Sequence, residues 1–132
     1  MRIEDCDSAH DVEKPADIAT VLSKRRGIGV NSFWMGQTAG GFPAINIMVN
    51  GGLACLHYFP KEGHPGFSSV GGFLGLNPEG YTKFHHDGTE ETSQIMNDAV
   101  VPFSDALRAA QEFAISKTMP KCIECESLIE GD

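Results

Sequence analysis

Two apolar segments joined by an Asn-Gly pair constrain the fold of this chain more than any other feature. The segments are Pro43–Val49 and Leu53–Phe59, and they flank Asn50-Gly51. Asn and Gly tolerate the positive φ angles of a type I′ turn, so the pair predicts an antiparallel β-hairpin. Both faces of the two predicted strands carry apolar side chains. We therefore expect the hairpin to lie centrally in a sheet, with helices or a partner covering it.

Two helices are predicted, one on each side of this hairpin in the sequence. The first spans about 15–26, because Pro15 suits a first helical turn and Gly27 is a good residue to follow the last one. The second is amphipathic. Its N-cap is predicted at Ser104 and its end near Lys117, shortly before a proline.

Further short strands complete the prediction. The order of elements indicates an α+β domain, with a mainly antiparallel sheet of five to six strands and two helices. Residues 1–132 are expected to form one domain, in which the acidic residues 1–12 are a flexible end or a short edge strand and 129–132 are a tail. The additional strands are predicted at Asn31–Met35, Phe67–Val70, Tyr81–His86, Ser93–Met96 and Cys122–Leu128.

Length and charge limit the classes of function. At 132 residues the chain is large enough to bury a core, and no apolar run approaches the ~20 residues that cross a bilayer. The acidic N-terminus lacks the apolar segment of a secretory signal, so we expect a soluble cytoplasmic protein. The net charge of -8 disfavours direct binding to nucleic acid or to an anionic membrane and favours a basic partner.

The cysteines do not form a recognised metal or redox motif. Cys122 and Cys125 have CxxC spacing, but the second pair that a zinc ribbon needs is missing from the sequence. The pair also lacks the helix start at which thioredoxin-like thiols are activated. We therefore interpret the cysteines as structural thiols, with no metal and no cofactor.

The histidines and serines are weak catalytic candidates. His85-His86 point to opposite faces of a strand, and no HxH or HxxxH spacing joins them to His57 or His64. The serines at 68 and 69 are not in a GxSxG turn. No catalytic residue is predicted, although a small metal- or thiol-dependent enzyme stays open as an alternative.

An acidic segment between residues 77 and 98 allows two interpretations. It carries several carboxylates against the single basic residue Lys83. The simpler interpretation is a solvated loop. The functional one is a carboxylate patch complementary to a cationic cleft, which would steer association with a partner. The carboxylates are Glu79, Asp87, Glu90, Glu91 and Asp98.

Two sequence blocks resemble one protein family. The block GFPAINIMVNGGLACLHYFPKEGHPGFSSVG resembles the core of the first-numbered immunity-protein family of bacterial polymorphic toxin systems. Val101-Pro102-Phe103, the helix SDALRAAQEFAISK, Met119-Pro120 and the strand CIECESL are similar to its C-terminal part. The resemblance covers about 30–128. The sequence departs from the family pattern at Gly52, where a charged residue is common, and at Cys125, where an aromatic residue is frequent.

The resemblance implies a non-enzymatic inhibitor. Such a protein binds a cognate toxin domain, often a nucleic-acid deaminase with a basic substrate channel, and blocks that channel or its active site. A generic interaction adaptor is a further alternative. We expect contacts from the segment 77–98 and from the loop Pro60–Phe67, with two aromatic residues as anchors. The predicted toxin-binding residues are Phe67, Glu79, Tyr81, His85, Asp87, Glu90 and Glu91.

Overall fold

A computed structural model describes residues 1–5, 8–26, 29–38, 40–71, 76–77, 79–85 and 92–128. These residues form two helices and a set of mostly short strands. The helices are α1 (Pro15–Leu22) and α2 (Phe103–Ser116). The strands are β1 (Arg2–Glu4), β2 (Ala9–Asp11), β3 (Val30–Gly36), β4 (Ala44–Asn50), β5 (Leu53–Phe59), β6 (Phe67–Ser69), β7 (Tyr81–His85), β8 (Thr92–Met96), β9 (Val101–Pro102) and β10 (Cys125–Ser127).

The strands confirm the predicted α+β class but exceed the predicted strand number. An eight-stranded antiparallel sheet runs in the order β10-β6-β5-β4-β3-β1-β2, with β9 also paired to β5. Strands β7 and β8 form a separate two-stranded sheet. The prediction of five to six strands was too low because strands of two or three residues, such as β1, β2 and β9, are too short to show a period of two.

The central hairpin is confirmed, but its turn differs from the prediction. Asn50 is the last residue of β4 and pairs with Leu53, so the loop is Gly51-Gly52 rather than Asn50-Gly51. Gly51 has a φ of 59°, whereas Gly52 lies outside the left-handed region. A type I′ turn needs positive φ at both loop residues, so this pattern matches type II′.

The acidic N-terminal segment takes the strand form, the second of its two expected forms. β1 pairs with β3 and β2 pairs with β1 at the edge of the sheet. Ile3 is fully buried, and the terminal ammonium of Met1 donates a hydrogen bond to the Val12 carbonyl at 3.0 Å. Arg2–Glu4 and Ala9–Asp11 are therefore strands of the sheet. The predicted tail, 129–132, lies outside the described residues.

The first helix is shorter than predicted. It ends at Leu22 instead of residue 26, with Ser23 as its C-cap. A basic residue after the helix caps its C-terminal end, because Arg25 Nη1 donates a hydrogen bond to the Leu22 carbonyl at 2.6 Å. Such bonds satisfy the carbonyl groups that a helix terminus leaves unpaired. The predicted C′ residue, Gly27, lies outside the described residues.

The second helix begins two positions earlier than predicted. Pro102 occupies the N-cap position without a side-chain cap, and Ser104 lies inside the first turn. The N-cap prediction for Ser104 was therefore wrong. The predicted end is confirmed, because Lys117 adopts a left-handed φ of 58° and donates its N–H to the Phe113 carbonyl. The closing strand is also shorter than the predicted 122–128 and leaves Cys122 outside it.

Both helices contribute to one face of the large sheet. Alternate residues of the central strands, including Phe33, Ile45 and Leu56, project to this face and are fully buried. Phe113 of α2 meets the ring of Tyr58 edge-on, with 6.2 Å between centroids. This is the main hydrophobic core, and it uses one set of alternate residues on each central strand.

The β7–β8 hairpin covers part of the opposite face of the sheet. Phe84 of β7 is fully buried in a second cluster with Met48 of β4 and Cys55 of β5. Asn50 Nδ2 also donates a hydrogen bond to the Lys83 carbonyl at 3.0 Å. We call this part of the face, around Met48 and Cys55, the covered half. The other part of the same face contains the candidate site.

Candidate protein-binding face

The strand register lines up a row of side chains on the face turned away from the helices. Trp34 pairs with Asn46, and Asn46 pairs with His57. Paired residues of an antiparallel sheet project to the same face, so the row continues to both edges. From edge to edge it consists of Ala9, Glu4, Trp34, Asn46, His57, Ser68 and Glu126.

A second row beside it carries small residues and leaves a concavity. Gly36 pairs with Ala44, and Ala44 pairs with Phe59. Because Gly36 and Ala44 fill little space next to Trp34, a pocket of about 170 Å³ lies there, with Phe42 on its rim. We call these two rows, together with Phe42, the open half. The second row consists of Asp11, Arg2, Gly36, Ala44 and Phe59.

Aromatic rings surround this concavity. Trp34 is the single tryptophan of the chain, yet 40% of it is exposed. Its ring reaches across β4 to Phe59, with 5.5 Å between centroids, and Phe59 is in turn stacked near His57 at 6.3 Å. Phe42 is 44% exposed. A tryptophan with this exposure offers a large contact area that the fold itself does not use.

The polar side chains in the middle of the first row, Asn46 and His57, are directed into the protein. Asn46 is buried, and its Nδ2 donates a hydrogen bond to the Phe33 carbonyl at 3.0 Å. Burial lowers the pKa of His57 from its ordinary value of 6.5, so the ring is neutral at pH 7. The middle of the open half therefore carries rings and no formal charge.

Charged groups of the open half lie towards its edges. Arg2 Nε donates to Glu4 Oε1 at 2.7 Å, and this hydrogen bond is the main reason why the pKa of Arg2 is raised. Asp11 contributes to the same shift through its charge. Glu126 lies at the opposite edge. These carboxylates outnumber the single guanidinium, so the open half is acidic at its rim.

Three of the predicted toxin-binding residues lie on or next to the β7–β8 hairpin. Tyr81 and His85 project from the outer face of β7, and Glu79 precedes that strand in an exposed turn. Tyr81 is 53% exposed and pairs with the exposed Met96 of β8. The other predicted contacts on this segment, Asp87, Glu90 and Glu91, lie outside the described residues.

Phe67, the second predicted anchor, is located on the other side of the sheet. It is half-buried on β6, where its ring packs against Tyr58 at 6.1 Å and His64 at 5.6 Å between centroids. Tyr58 belongs to the core beneath the helices. The structure therefore does not bring Phe67 together with Tyr81, which lies beyond the opposite face.

The sequence interpretation did not select Trp34 or Phe59 as site residues. A signal was present, because Ser32, Trp34 and Gly36 alternate with the core residues Phe33 and Met35 along β3. A tryptophan on the polar side of a strand is a candidate for surface contact. The strand order that places Phe59 beside it is a tertiary feature.

A comparison with known proteins finds similarity over nearly the whole chain. The chain is 24% identical over 121 residues to a protein of Burkholderia cenocepacia (strain H111) that is named double-stranded DNA deaminase immunity protein. The match covers 92% of this chain and 94% of that relative. No protein-family model matches the chain.

The described cysteines and histidines offer little reactive chemistry. Burial raises the pKa of the Cys55 and Cys125 thiols to about 11, and it also raises that of Cys122. A raised pKa opposes the thiolate that a nucleophile or a metal ligand requires. Within the described ranges, no three His, Cys, Asp or Glu side chains form a group that could hold a metal ion. Neither described helix has the length and apolar character to cross a membrane.

Proposed function

We propose that this protein is an immunity protein that binds and neutralises a cognate bacterial toxin in the cytoplasm of the producing cell. The toxin is a nucleic-acid deaminase domain, and inhibition occurs by occlusion of its substrate channel or active site. The protein itself carries out no chemistry.

One observation carries this proposal, the similarity to the Burkholderia protein along nearly all of both chains. A match of this extent relates complete domains rather than a shared local motif. The resemblance of the central hairpin and of the C-terminal helix to an immunity-protein family implies the same class of inhibitor, and no family model matches the chain. The raised pKa values of the described thiols count against the thiol-enzyme alternative.

The charge of the chain suits this partner. A deaminase that acts on nucleic acid needs a basic surface to hold the phosphate backbone. A protein with a net charge of -8 is attracted to such a surface, and the attraction accelerates capture of the toxin. We also propose that the hairpin segment contributes to binding through Glu79, Tyr81 and His85 together with Asp87, Glu90 and Glu91.

The test uses the toxin encoded next to the gene of this protein. Its deaminase domain is expressed in bacteria with and without this chain, and growth and deamination of DNA or RNA are measured. We expect growth and an unmodified nucleic acid only when this chain is present, together with a stable complex on gel filtration. The matched control is the chain with a disrupted core, Phe113→Asp, which should give no protection.

Two results would contradict the proposal. One is a neighbouring gene that encodes no deaminase-like toxin domain. The other is a toxin domain that stays active and unbound in the presence of the folded chain. The hairpin contribution has its own test, because the double variant Glu90→Lys and Glu91→Lys should weaken binding and raise its salt sensitivity. Unchanged affinity would remove this segment from the interface.

A further inference from the structure

We propose that the open half of the sheet is the main toxin-binding surface, and that one basic side chain of the deaminase domain occupies the pocket beside Trp34 and Phe42. This inference rests on the proposed function and names the surface and the chemistry of the partner.

The open half exposes large aromatic groups on a rigid element. Trp34 and Phe42 are each two-fifths or more exposed, although their burial would stabilise the chain. Tryptophan is enriched among the residues that dominate binding energy at protein interfaces. Trp34 is held by the long β3–β4 ladder and by Phe59, so little conformational entropy is lost when a partner covers it.

The shape of this surface suits a single inserted side chain. The pocket of about 170 Å³ exists because Gly36 and Ala44 place no large side chain beside Trp34. A cavity of about 150 Å³ accepts a group of the size of benzene, so this one has room for a single large side chain. Interfaces concentrate their binding energy where such an anchor enters a pocket.

The charges around the pocket are complementary to a basic side chain. Among the described residues that line the pocket, Arg2 is the single cation, and Glu4 and Asp11 surround it, so this corner carries a net negative charge. A cation over the face of a tryptophan ring is attracted by the ring quadrupole. Glu126 adds negative charge at the far edge of the sheet. An arginine or lysine from a nucleic-acid-binding channel matches both the ring and the rim.

The size of the open half indicates that neighbouring elements complete the contact. Strands lie ~4.8 Å apart, so two rows across the sheet cover roughly half of the ~800 Å² that one partner contributes to a standard interface. The loop that carries Phe42 and part of the hairpin are available on the same side of the sheet. The open half is therefore the anchor of the contact, and the rest serves as its rim.

The main experiment labels this chain with 5-fluorotryptophan and adds the unlabelled deaminase domain of the neighbouring toxin. The single tryptophan gives one ¹⁹F resonance, which reports on Trp34 alone even if the toxin contains tryptophans. We expect this resonance to move on binding. Affinities of variants are measured in parallel by calorimetry, with circular dichroism as the check on folding.

Three variants separate the anchor from other surfaces. Trp34→Ala should weaken binding roughly 30-fold or more, as removal of a central aromatic anchor does. Ala44→Leu fills the pocket without removing a contact and should weaken binding roughly 10-fold. Ile115→Ala alters the most exposed large apolar residue of α2, on the helix side, and should stay within about twofold.

The charge complementarity is tested separately, through the affinity of a charge-removal variant and its dependence on salt. Asp11→Asn combined with Glu126→Gln removes two exposed carboxylates at opposite edges of the open half. We expect a roughly threefold to tenfold loss of affinity at low salt and a smaller dependence of affinity on salt than in the natural protein. An unchanged salt dependence would overturn the basic character of the bound side chain.

The results distinguish this inference from the proposed function. If the toxin domain binds the chain but Trp34→Ala binds equally well and the ¹⁹F resonance stays in place, the open half is not the interface and the proposed function stands. If Tyr81→Ala weakens binding instead, the hairpin is the main contact. If the folded chain forms no complex with the toxin domain, both proposals fall.

Discussion

The covered half and the open half of one sheet face are made by the same strands but carry different side chains. Beneath the β7–β8 hairpin, the face presents Met48 and Cys55, both buried against Phe84. Beyond the hairpin, the same face presents Trp34 of β3 together with His57 and Phe59, which lie two and four residues after Cys55 on β5. The covered half consists of flexible or small apolar groups that fill a core. The open half carries four exposed or partly exposed rings, and two of them, Trp34 and His57, contain nitrogen atoms.

This difference separates stability from recognition. A side chain in the covered half stabilises the fold, since it is removed from water when the hairpin docks. A side chain in the open half keeps part of its surface in water until a partner arrives. Substitutions in the covered half should therefore mainly lower the free energy of unfolding. Substitutions in the open half should mainly lower the affinity for the partner.

The largest effect on stability is expected at Phe84. Phe84→Ala should lower the free energy of unfolding by about 3–5 kcal/mol, because it leaves a cavity between the hairpin and the sheet. Urea denaturation followed by circular dichroism measures this. The control is Tyr81→Ala on the exposed face of the same strand, which should change stability by about 0.5 kcal/mol or less. Equal losses for both variants would contradict the covered-half assignment.

A smaller loss is expected at Gly71, where the chain passes close to the strand that precedes α2. A Cβ at this position would collide with the backbone carbonyl of Val100. Gly71→Ala should therefore cost about 1–3 kcal/mol, since backbone atoms must shift. Gly52→Ala is the matched control, because nothing lies within 4 Å of its added Cβ and its φ is not left-handed. A thermal melt in which both variants match the natural protein would rule out this close approach.

A moderate loss is expected at Trp34 in the open half. Trp34→Ala should reduce the free energy of unfolding by about 1–2 kcal/mol, because its site faces solvent and truncation leaves no sealed cavity. The same variant has the largest expected effect on binding. If Trp34→Ala destabilised the protein as much as Phe84→Ala, the ring would belong to the core and the contrast between the halves would fail.

The smallest effect is a pH dependence from His57. Its folded-state pKa lies below 6.5, so the unfolded chain binds the proton more readily than the folded one. The neutral His57 ring therefore stabilises the fold above pH 6.5. This stabilisation is lost as the pH falls from 6.5 to the folded-state pKa.

The measurement compares unfolding free energies at pH 7.5 and 5.5 in the natural protein and in His57→Gln. The variant should lose less stability on acidification, because it lacks the group that must be protonated on unfolding. An NMR titration of the His57 ring gives its folded pKa directly. A ring that titrates at or above 6.5 would contradict the burial of this histidine.

Local chemistry explains which parts of the fold could be predicted. The β4–β5 hairpin, both helices and the α+β class follow from apolar periodicity and from the proline and glycine positions, all of which act over a few residues. The turn type was missed because Asn50-Gly51 and Gly51-Gly52 are both acceptable hairpin loops, and cross-strand pairing selects between them. The very short strands were missed because they are held by their neighbours rather than by their own sequence.

The predicted contact residues lie in different surroundings in the structure. Tyr81 lies exposed on the hairpin, whereas Phe67 packs against the core side of the sheet. Sequence alone does not distinguish these two rings, because each lies at the start of a short strand. Burial depends on which face another element covers, and that is decided by contacts between residues distant in the chain.

By itself, the sequence determined the acidic character of the chain, the central hairpin, the two amphipathic helices and the single tryptophan. The tertiary structure decided that the β7–β8 hairpin covers only half of the outer sheet face. It also decided that Trp34 and Phe42 line one pocket there and that Phe59 packs against the Trp34 ring. The physical reason is that periodicity assigns a residue to a face of its strand, whereas long-range packing determines whether that face meets protein or solvent.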